Sequence, residues 1–318
     1  MKDLERIEEK VRGVLDYSRA EKIEKGFSFE KKYLLSGADD GSYIVRICEI
    51  GSEGNSERKK AEFDTIRRLH DFSPLVPEAY SFEISDNGES CYMILEYMQG
   101  TDLEEEIPLL GEKEQYELGL QAGRELLNLH RLDAPPLPAK WHERYSRKYA
   151  RKCAMLDESG IDTGKIDMES LSLFIAGNRH HMKCRRETFL HDDFHPANLV
   201  VSGGRLTGII DFNRYDWGDP VHDFVKVAYF SSKISIPFSA GQIDGYNRGE
   251  VPDEFWQKYS LYTAMMVVPD MVWGHWYSKQ TGSPGEIERM RERTERIWSD
   301  HDCFNEEIPG WYKDFSGI

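Results

Sequence analysis

Residues 190–201 read Leu-His-Asp-Asp-Phe-His-Pro-Ala-Asn-Leu-Val-Val, and Gly208-Ile-Ile-Asp-Phe-Asn follows shortly after. Asp193 and Asn198 stand five apart on a segment interrupted by Pro196, which marks a loop between two apolar strands. Asp211 closes the apolar run Gly208-Ile-Ile, so two short strands would set the loop and Asp211 side by side. The set supplies one carboxylate, Asp193, with no evident cation beside it. It also supplies an amide and a second carboxylate, Asn198 and Asp211, as hard oxygen ligands. Mg²⁺ takes a few such oxygens together with those of substrate phosphates. Phosphoryl transfer asks for that positioning, the metal's charge and an acceptor for the hydroxyl proton. Read singly, His-Asp-Asp and Ile-Ile-Asp are ordinary loop and strand-end residues; their order, spacing and intervening apolar strand favour chemistry.

His-Asp-Asp-Phe-His-Pro-Ala-Asn followed by Ile-Ile-Asp-Phe-Asn resembles the catalytic and metal loops of the aminoglycoside phosphotransferase family. The run Trp217-Gly-Asp-Pro220, with Asp223 beyond it, is similar to that family's continuation, and the likeness extends from about Gly26 to Phe230. The resemblance implies an α+β, bilobal, protein-kinase-like fold with a small antiparallel-sheet N-lobe and a larger helical C-lobe. It implies Asp193 as catalytic base, Asn198 and Asp211 as ligands of Mg²⁺, and His191 as a brace of the loop. Arg46, in the strand Tyr43–Ile50, stands where kinases place a phosphate-contacting lysine, and Glu62 stands where its ion-pair glutamate belongs. Arg keeps the charge and clamps phosphate bidentately, though it is longer and planar. The backbone of Glu96-Tyr97-Met98 would meet the nucleobase of ATP or GTP, and Ser28 would cover the phosphates. Neither a GxGxxG nor a Walker A sequence is present.

The elements that must carry these residues are legible from periodicity. Leu4, Ile7, Val11, Val14 and Leu15 predict one leading amphipathic helix. Strand-like runs on either side of Ser36-Gly-Ala-Asp-Asp-Gly-Ser, and again around Asp86-Asn-Gly, predict two hairpins. Phe63, Ile66 and Leu69 stripe a helix over 56–70, and another is expected over 114–130, ending before Ala134-Pro-Pro. The remainder reads as helical, interrupted by strands between Phe189 and Phe212. The expected organisation is a nucleotide-binding lobe over 1–98 and a catalytic, substrate-binding lobe over 99–318. The segment Glu286–Arg296 reads as an ordinary exposed helix.

The chain has 318 residues, 41 basic and 57 acidic, for a net charge of −16. That balance disfavours nucleic acid, whose binding depends on neutralising phosphates, and favours a cationic small-molecule partner. The acidity is uneven: residues 140–186 hold eleven Lys/Arg against six Asp/Glu, whereas 187–318 hold twelve against twenty-one. The resemblance implies transfer of the γ-phosphate of ATP or GTP to a small-molecule hydroxyl, with an aminoglycoside-like antibiotic as the leading acceptor. The alternatives are a metabolic kinase of choline, ethanolamine, a sugar or homoserine, and a non-catalytic nucleotide-binding pseudokinase, against which Asp193, Asn198 and Asp211 speak. An aminoglycoside-like polycation would meet carboxylates such as Asp216, Asp219, Asp244, Asp253, Glu254 and Asp270. Trp273, His275 and Trp276 stand near Asp270, where they could stack on a sugar or a cation. Asp219 and Asp223 read as structural supports of the metal loop. The longest apolar run, Leu261–Val268, is ended by Pro269 and is too short for a bilayer. Five scattered cysteines and a charged start, with no secretory pattern, suit a cytoplasmic protein with reduced thiols. Three patterns mislead. His130-Arg-Leu-Asp133 mimics a kinase triplet at a helix end, His191–His195 mimics a zinc motif without its helix, and Gly51–Gly54 mimics a phosphate loop but contains Glu53.

Overall fold

A computed structural model describes residues 2–24, 30–37, 41–51, 55–283 and 285–316. Ser28 and most of the Gly51–Gly54 segment lie outside them. The chain divides into two compact units, Met1–Leu103 with Asn198–Asn213, and Glu104–Ala197 with Arg214–Ile318.

The first unit opens with α1 (Lys2–Glu5) and α2 (Glu8–Val14), where one continuous helix was expected. Leu4, Ile7, Val11 and Leu15 are buried as their spacing requires, but Val14 is 40% exposed. Strands β1 (Tyr17–Ile23), β2 (Lys31–Gly37), β3 (Ser42–Glu49), β4 (Ala79–Ile84) and β5 (Ser90–Glu96) form an antiparallel sheet of order β1-β2-β3-β5-β4. The two hairpins are as predicted. β1 is an addition: an edge strand of mostly polar residues, it carries no clear alternation. Alternation elsewhere sorts the sheet's faces. Tyr33 and Leu35, Val45 and Ile47, and Tyr92 and Ile94 pack with Leu4, Ile7 and Val11 in one core cluster. Arg46, one residue out of phase with Val45 and Ile47 and paired in register with Met93, is thereby sent to the opposite face. There α3 (Asn55–His70) buries Phe63, Ile66 and Leu69. A second sheet, β6 (Thr101–Asp102), β8 (Leu199–Ser202) and β9 (Arg205–Ile209), completes the unit in the order β6-β8-β9.

The second unit is helical: α4 (Leu103–Glu106), at its start, then α5 (Glu112–Leu129), α6 (Trp141–Ser159), α7 (Met168–Asn178), α8 (Ser232–Ile234), α9 (Ile236–Asn247), α10 (Asp253–Thr281), α11 (Gly285–Asp300) and α12 (Gly310–Ser316). An antiparallel ribbon within it pairs β7 (Thr188–Leu190) with β10 (Asp216–Gly218). One reading is extended here and one changes. Pro269 ends the apolar run in the sequence but not the helix, because α10 continues through it to Thr281 with Val267, Val268, Met271 and Val272 all buried; the packing outweighs one lost helical hydrogen bond. And α11 is not merely exposed: it buries Met290, Thr294, Ile297 and Trp298. Among the described residues no helix is long and apolar enough to cross a membrane.

Helices α5 and α9 meet through glycines. Gly119 and Gly123, four apart on one face, lie against Phe238 and Gln242, while Gly241 and Gly245 lie against Tyr116 and Leu120. A Cβ at Gly123 would fall inside the Gln242 carbonyl. Gly123→Ala should therefore overpack this contact and lower stability by about 1–3 kcal/mol. Gly177→Ala, on an open face of α7, should be neutral or gain up to about 1 kcal/mol from helix propensity. Urea unfolding of the two variants checks the contrast.

Candidate active site

On the α3 side of the first sheet, four charged side chains close a ring. Arg46 Nε donates to Glu30 Oε2 at 2.6 Å, and Arg46 Nη1 pairs with Glu62 Oε1 at 2.8 Å. Lys59 Nζ pairs with Glu62 Oε2 at 2.7 Å and also with Glu30. Two cations and two anions alternate, so no net charge is buried, which is the condition under which such burial is tolerated. Burial alone would raise the Glu30 carboxyl, but Arg46 and then Lys59 outweigh it and hold the group at about 2. Burial likewise opposes the charge on Arg46, and Glu62, Glu30 and Asp211 more than restore it. Arg46 and Glu62 were expected from the sequence; Glu30 and Lys59 were not. Lys59 had a signal, since it precedes Glu62 by one helical turn. Arg46 Nη2 is buried and has no hydrogen-bond partner among the described residues. An anion such as a nucleotide phosphate fits that donor.

Asn198 and Asp211 are held together by the β8–β9 pair, in which Leu199 stands opposite Ile209 and the Ile210 N–H donates to the Asn198 carbonyl at 3.0 Å. Asp211 has a left-handed backbone, φ 65°, a strained conformation that Asp tolerates and that concentrates at functional sites. The donor set is one amide and one carboxylate. Among the described residues no cluster of three or more His, Cys, Asp or Glu could hold a metal by itself. This fits Mg²⁺ held jointly with phosphate oxygens rather than in an all-protein cage. At the end of β5, the Glu96 N–H donates to Glu78 and the Tyr97 N–H donates to Ser42. Met98, nearly buried against Gly208, is left with no such bond on its N–H among the described residues. Of the three expected nucleobase contacts, Met98 is the one whose donor is available.

In the second unit the loop after β7 is clamped from below. The buried Asp223 carboxylate accepts from the His191 N–H at 2.8 Å, from the Asp192 N–H at 2.7 Å, and meets His130 Nε2 at 3.0 Å. His130 caps the end of α5 and its Nδ1 meets the Tyr246 hydroxyl at 2.9 Å. The His130 triplet is thus a helix terminus, as its position suggested, but one that braces the catalytic loop. Asp223 is structural too, on the loop of Asp193 rather than the metal loop. Asp219 caps the turn that leads to it, accepting from the Val221 N–H at 3.1 Å and the Tyr262 hydroxyl at 3.1 Å. Asp192, with φ 58°, turns its carboxylate to His222 at 3.3 Å; burial raises this carboxyl, and His222 and Lys226 bring it down to about 2.

Asp193 is not without a cation. Its carboxylate lies 3.0 Å from Lys226 Nζ, 3.6 Å from His195 Nε2 and 3.7 Å from Arg214 Nε. Burial raises the carboxyl, but His195, Lys226 and Arg214 together hold it far below the usual carboxylate range. His195 lies two residues on in the same loop, whereas Lys226 and Arg214 come from farther along the chain, where no local motif announced them.

The acidic substrate candidates are largely spent within the protein. Asp216 Oδ1 accepts from Arg144 Nη1 at 3.2 Å. Asp270 is gripped by both arms of Arg293, at 2.9 and 2.7 Å. Asp244 receives the Tyr116 and Tyr312 hydroxyls at 2.8 and 2.6 Å, and Lys258 spans Asp219 and Glu254. Trp273 is 38% exposed and stacks on Tyr277, 5.0 Å between ring centres.

A family model described as the phosphotransferase enzyme family matches residues 19–259. Among solved structures, the chain is similar to ADP-bound aminoglycoside phosphotransferase APH(2'')-Ib, at 17% identity over 92% of this chain and 98% of that one, with a TM-score of 0.64. It is similar to the GDP complex of aminoglycoside 2'-phosphotransferase-IIIa, at 16% identity over 94% and 98%, TM-score 0.64. It is also similar to the apoenzyme of macrolide 2'-phosphotransferase MphH from Brachybacterium faecium, at 16% identity over 92% and 98%, TM-score 0.59. At such identities the likeness establishes the fold, which is protein-kinase-like, with an antiparallel-sheet N-terminal part and a helical C-terminal part. No curated protein matches the chain.

The ring around Arg46 has a pH signature. The Glu30 carboxyl sits at about 2 in the folded protein against an ordinary value of 4.5. Its contribution is therefore complete above pH ~4.5 and lost as pH falls toward 2, about 3 kcal/mol in all. Glu30→Gln should unfold in less urea at pH 7 and lose less further stability than the parent between pH 5 and 2. Parallel stability curves would locate the acid-sensitive contact elsewhere.

Proposed function

The chain belongs to the phosphotransferase enzyme family, and from that premise we propose that it transfers the γ-phosphate of ATP or GTP to a hydroxyl of a small molecule. In this reading Asp193 accepts the proton as the acceptor oxygen bonds to the γ-phosphorus and the bond to the bridging β–γ oxygen breaks. Arg46 anchors the phosphates through its spare Nη2, Met98 holds the nucleobase, and Ser28, outside the described residues, covers the phosphates. Asn198 and Asp211 hold Mg²⁺, whose charge offsets that of the phosphates. The observation that carries the proposal is the state of Asp193: a nearly buried carboxylate, kept ionised by its neighbours on a loop whose backbone is fixed by Asp223. That suits a group that orients a hydroxyl at the instant of transfer.

An aminoglycoside-like antibiotic is the leading acceptor, and resistance would then be the physiological role. Relatives of this fold have been solved with streptomycin and ATP, with gentamicin, and with hygromycin B and ADP. One observation favours a second reading, a metabolic kinase of choline, ethanolamine, a sugar or homoserine. Asp216, Asp219, Asp244 and Asp270 already hold protein partners, so few of the acids counted toward a polycation are waiting for one.

Asp193→Ala should lower phosphoryl transfer by roughly 10²–10⁴-fold while leaving nucleotide binding nearly intact, measured by coupled assay and calorimetry; normal turnover would sink the mechanism. Asp211→Ala should instead weaken binding of Mg²⁺-nucleotide. Nucleotide turnover stimulated in turn by aminoglycosides, macrolides, choline and sugars separates the two acceptor readings.

A further inference from the structure

Lys226 is placed with unusual care for a surface-prone residue. Only 8% of it is exposed, and its ammonium lies 3.0 Å from Asp193 Oδ1. It immediately precedes a π-turn, Val227–Ser231, a widened helical form that is rare and found often at functional sites. The π-turn carries Phe230, whose ring lies 5.4 Å from the Lys226 ammonium, 5.6 Å from the Arg293 guanidinium and 5.1 Å from the His195 ring. The lysine ammonium thus lies between an aromatic ring and one carboxylate oxygen. Burying an ammonium costs free energy that an ordinary surface ion pair does not return, so this placement is not explained by stability alone.

We propose that Lys226 is a positioning residue for the transfer reaction: it fixes the orientation of the Asp193 carboxylate and keeps it ionised, so that Asp193 can receive the acceptor hydroxyl. This rests on the phosphotransferase reading and adds to it a residue that the loop motif does not contain. The charged and titratable groups that face the pair are His195 from the loop itself, Arg214 from the turn before β10, and Asp192 and Asp270, whose charges also feel Lys226. Of the three cations Lys226 stands nearest the Asp193 carboxylate, at 3.0 Å against 3.6 Å for His195 and 3.7 Å for Arg214. Burial raises the Asp193 carboxyl, and His195 first, then Lys226 and Arg214, hold it low. Arg293 does not compete for Asp193, because Asp270 occupies it.

The test compares Lys226→Met, which keeps the side-chain length and removes the charge, with Lys226→Arg, which keeps the charge. Both are checked first for a parental thermal unfolding profile. Mg²⁺-ATP and Mg²⁺-GTP hydrolysis, with water as acceptor, gives kcat and KM as functions of pH. Lys226→Met should lower kcat about 10–100-fold with little change in nucleotide KM, and should move the acid limb of kcat to higher pH. Lys226→Arg should restore most of the rate and the original limb. A parental kcat and acid limb in Lys226→Met overturns the proposal, as does equal impairment of the two variants, which would reduce the role to packing. Carboxyl ¹³C titration of aspartate-labelled protein, with Asp193→Asn to identify the signal, is independent of turnover. The Asp193 signal should titrate at higher pH in Lys226→Met, and an unmoved signal overturns the proposal. If the parent turns over neither nucleotide with any acceptor, the phosphotransferase reading fails, and the titration still decides whether Lys226 governs Asp193.

Discussion

A carboxyl group with no exposed surface must find donors inside the protein, and Asp223 is the one on which the catalytic loop depends. Its two oxygens take two consecutive backbone N–H groups and a histidine ring. Those N–H groups belong to His191 and Asp192, so meeting the needs of Asp223 also dictates the path of the chain into Asp193. The left-handed turn at Asp192 is what that path requires. His130, at the end of α5, and Tyr246, on α9, extend the support into the helical body. Since α5 and α9 touch backbone to backbone through glycines, the brace rests on a closely packed contact with little room to give.

The same rule, that buried charge is compensated locally, reorganises what the composition suggested. A net charge of −16 pointed to carboxylates gathered for a cationic partner. In the folded chain many of them serve as internal struts: Glu30 and Glu62 with Arg46 and Lys59, Asp219 with Lys258, Asp270 with Arg293. The acidity of the last third of the chain is therefore in good part architectural. A charge count locates acids along the sequence but does not say which are already paired.

The parts of the fold that were legible from sequence are those governed by short-range rules. The strand-like run Tyr43–Ile50 marked β3 and the stripe of Phe63, Ile66 and Leu69 marked α3; Arg46 and Glu62 were picked out on them by the family resemblance. The loop from His191 to Asn198 was legible because proline and two apolar strands bracket it. Features decided by distant partners were not. Lys226 reaches Asp193, and Arg293 reaches Asp270, without any local pattern to betray the contact. Pro269 reads as a terminator until the burial on both sides of it is known, and β1 is a strand because an edge of the sheet needed a partner, not because Tyr17–Ile23 alternates.

The arginine at position 46 alters the reactivity of the place it occupies. A lysine there would carry a primary amine that, once deprotonated, is a nucleophile open to acylating and sulfonylating reagents. The guanidinium, held charged by Glu62 and Glu30, offers no lone pair at any accessible pH. The one amine in the ring, that of Lys59, is tied up by the same two carboxylates, which raise its proton affinity despite burial. Electrophiles that mark kinase-like proteins through a lysine at this strand would find no nucleophile in this ring, so its charge is anchored against both pH and covalent capture.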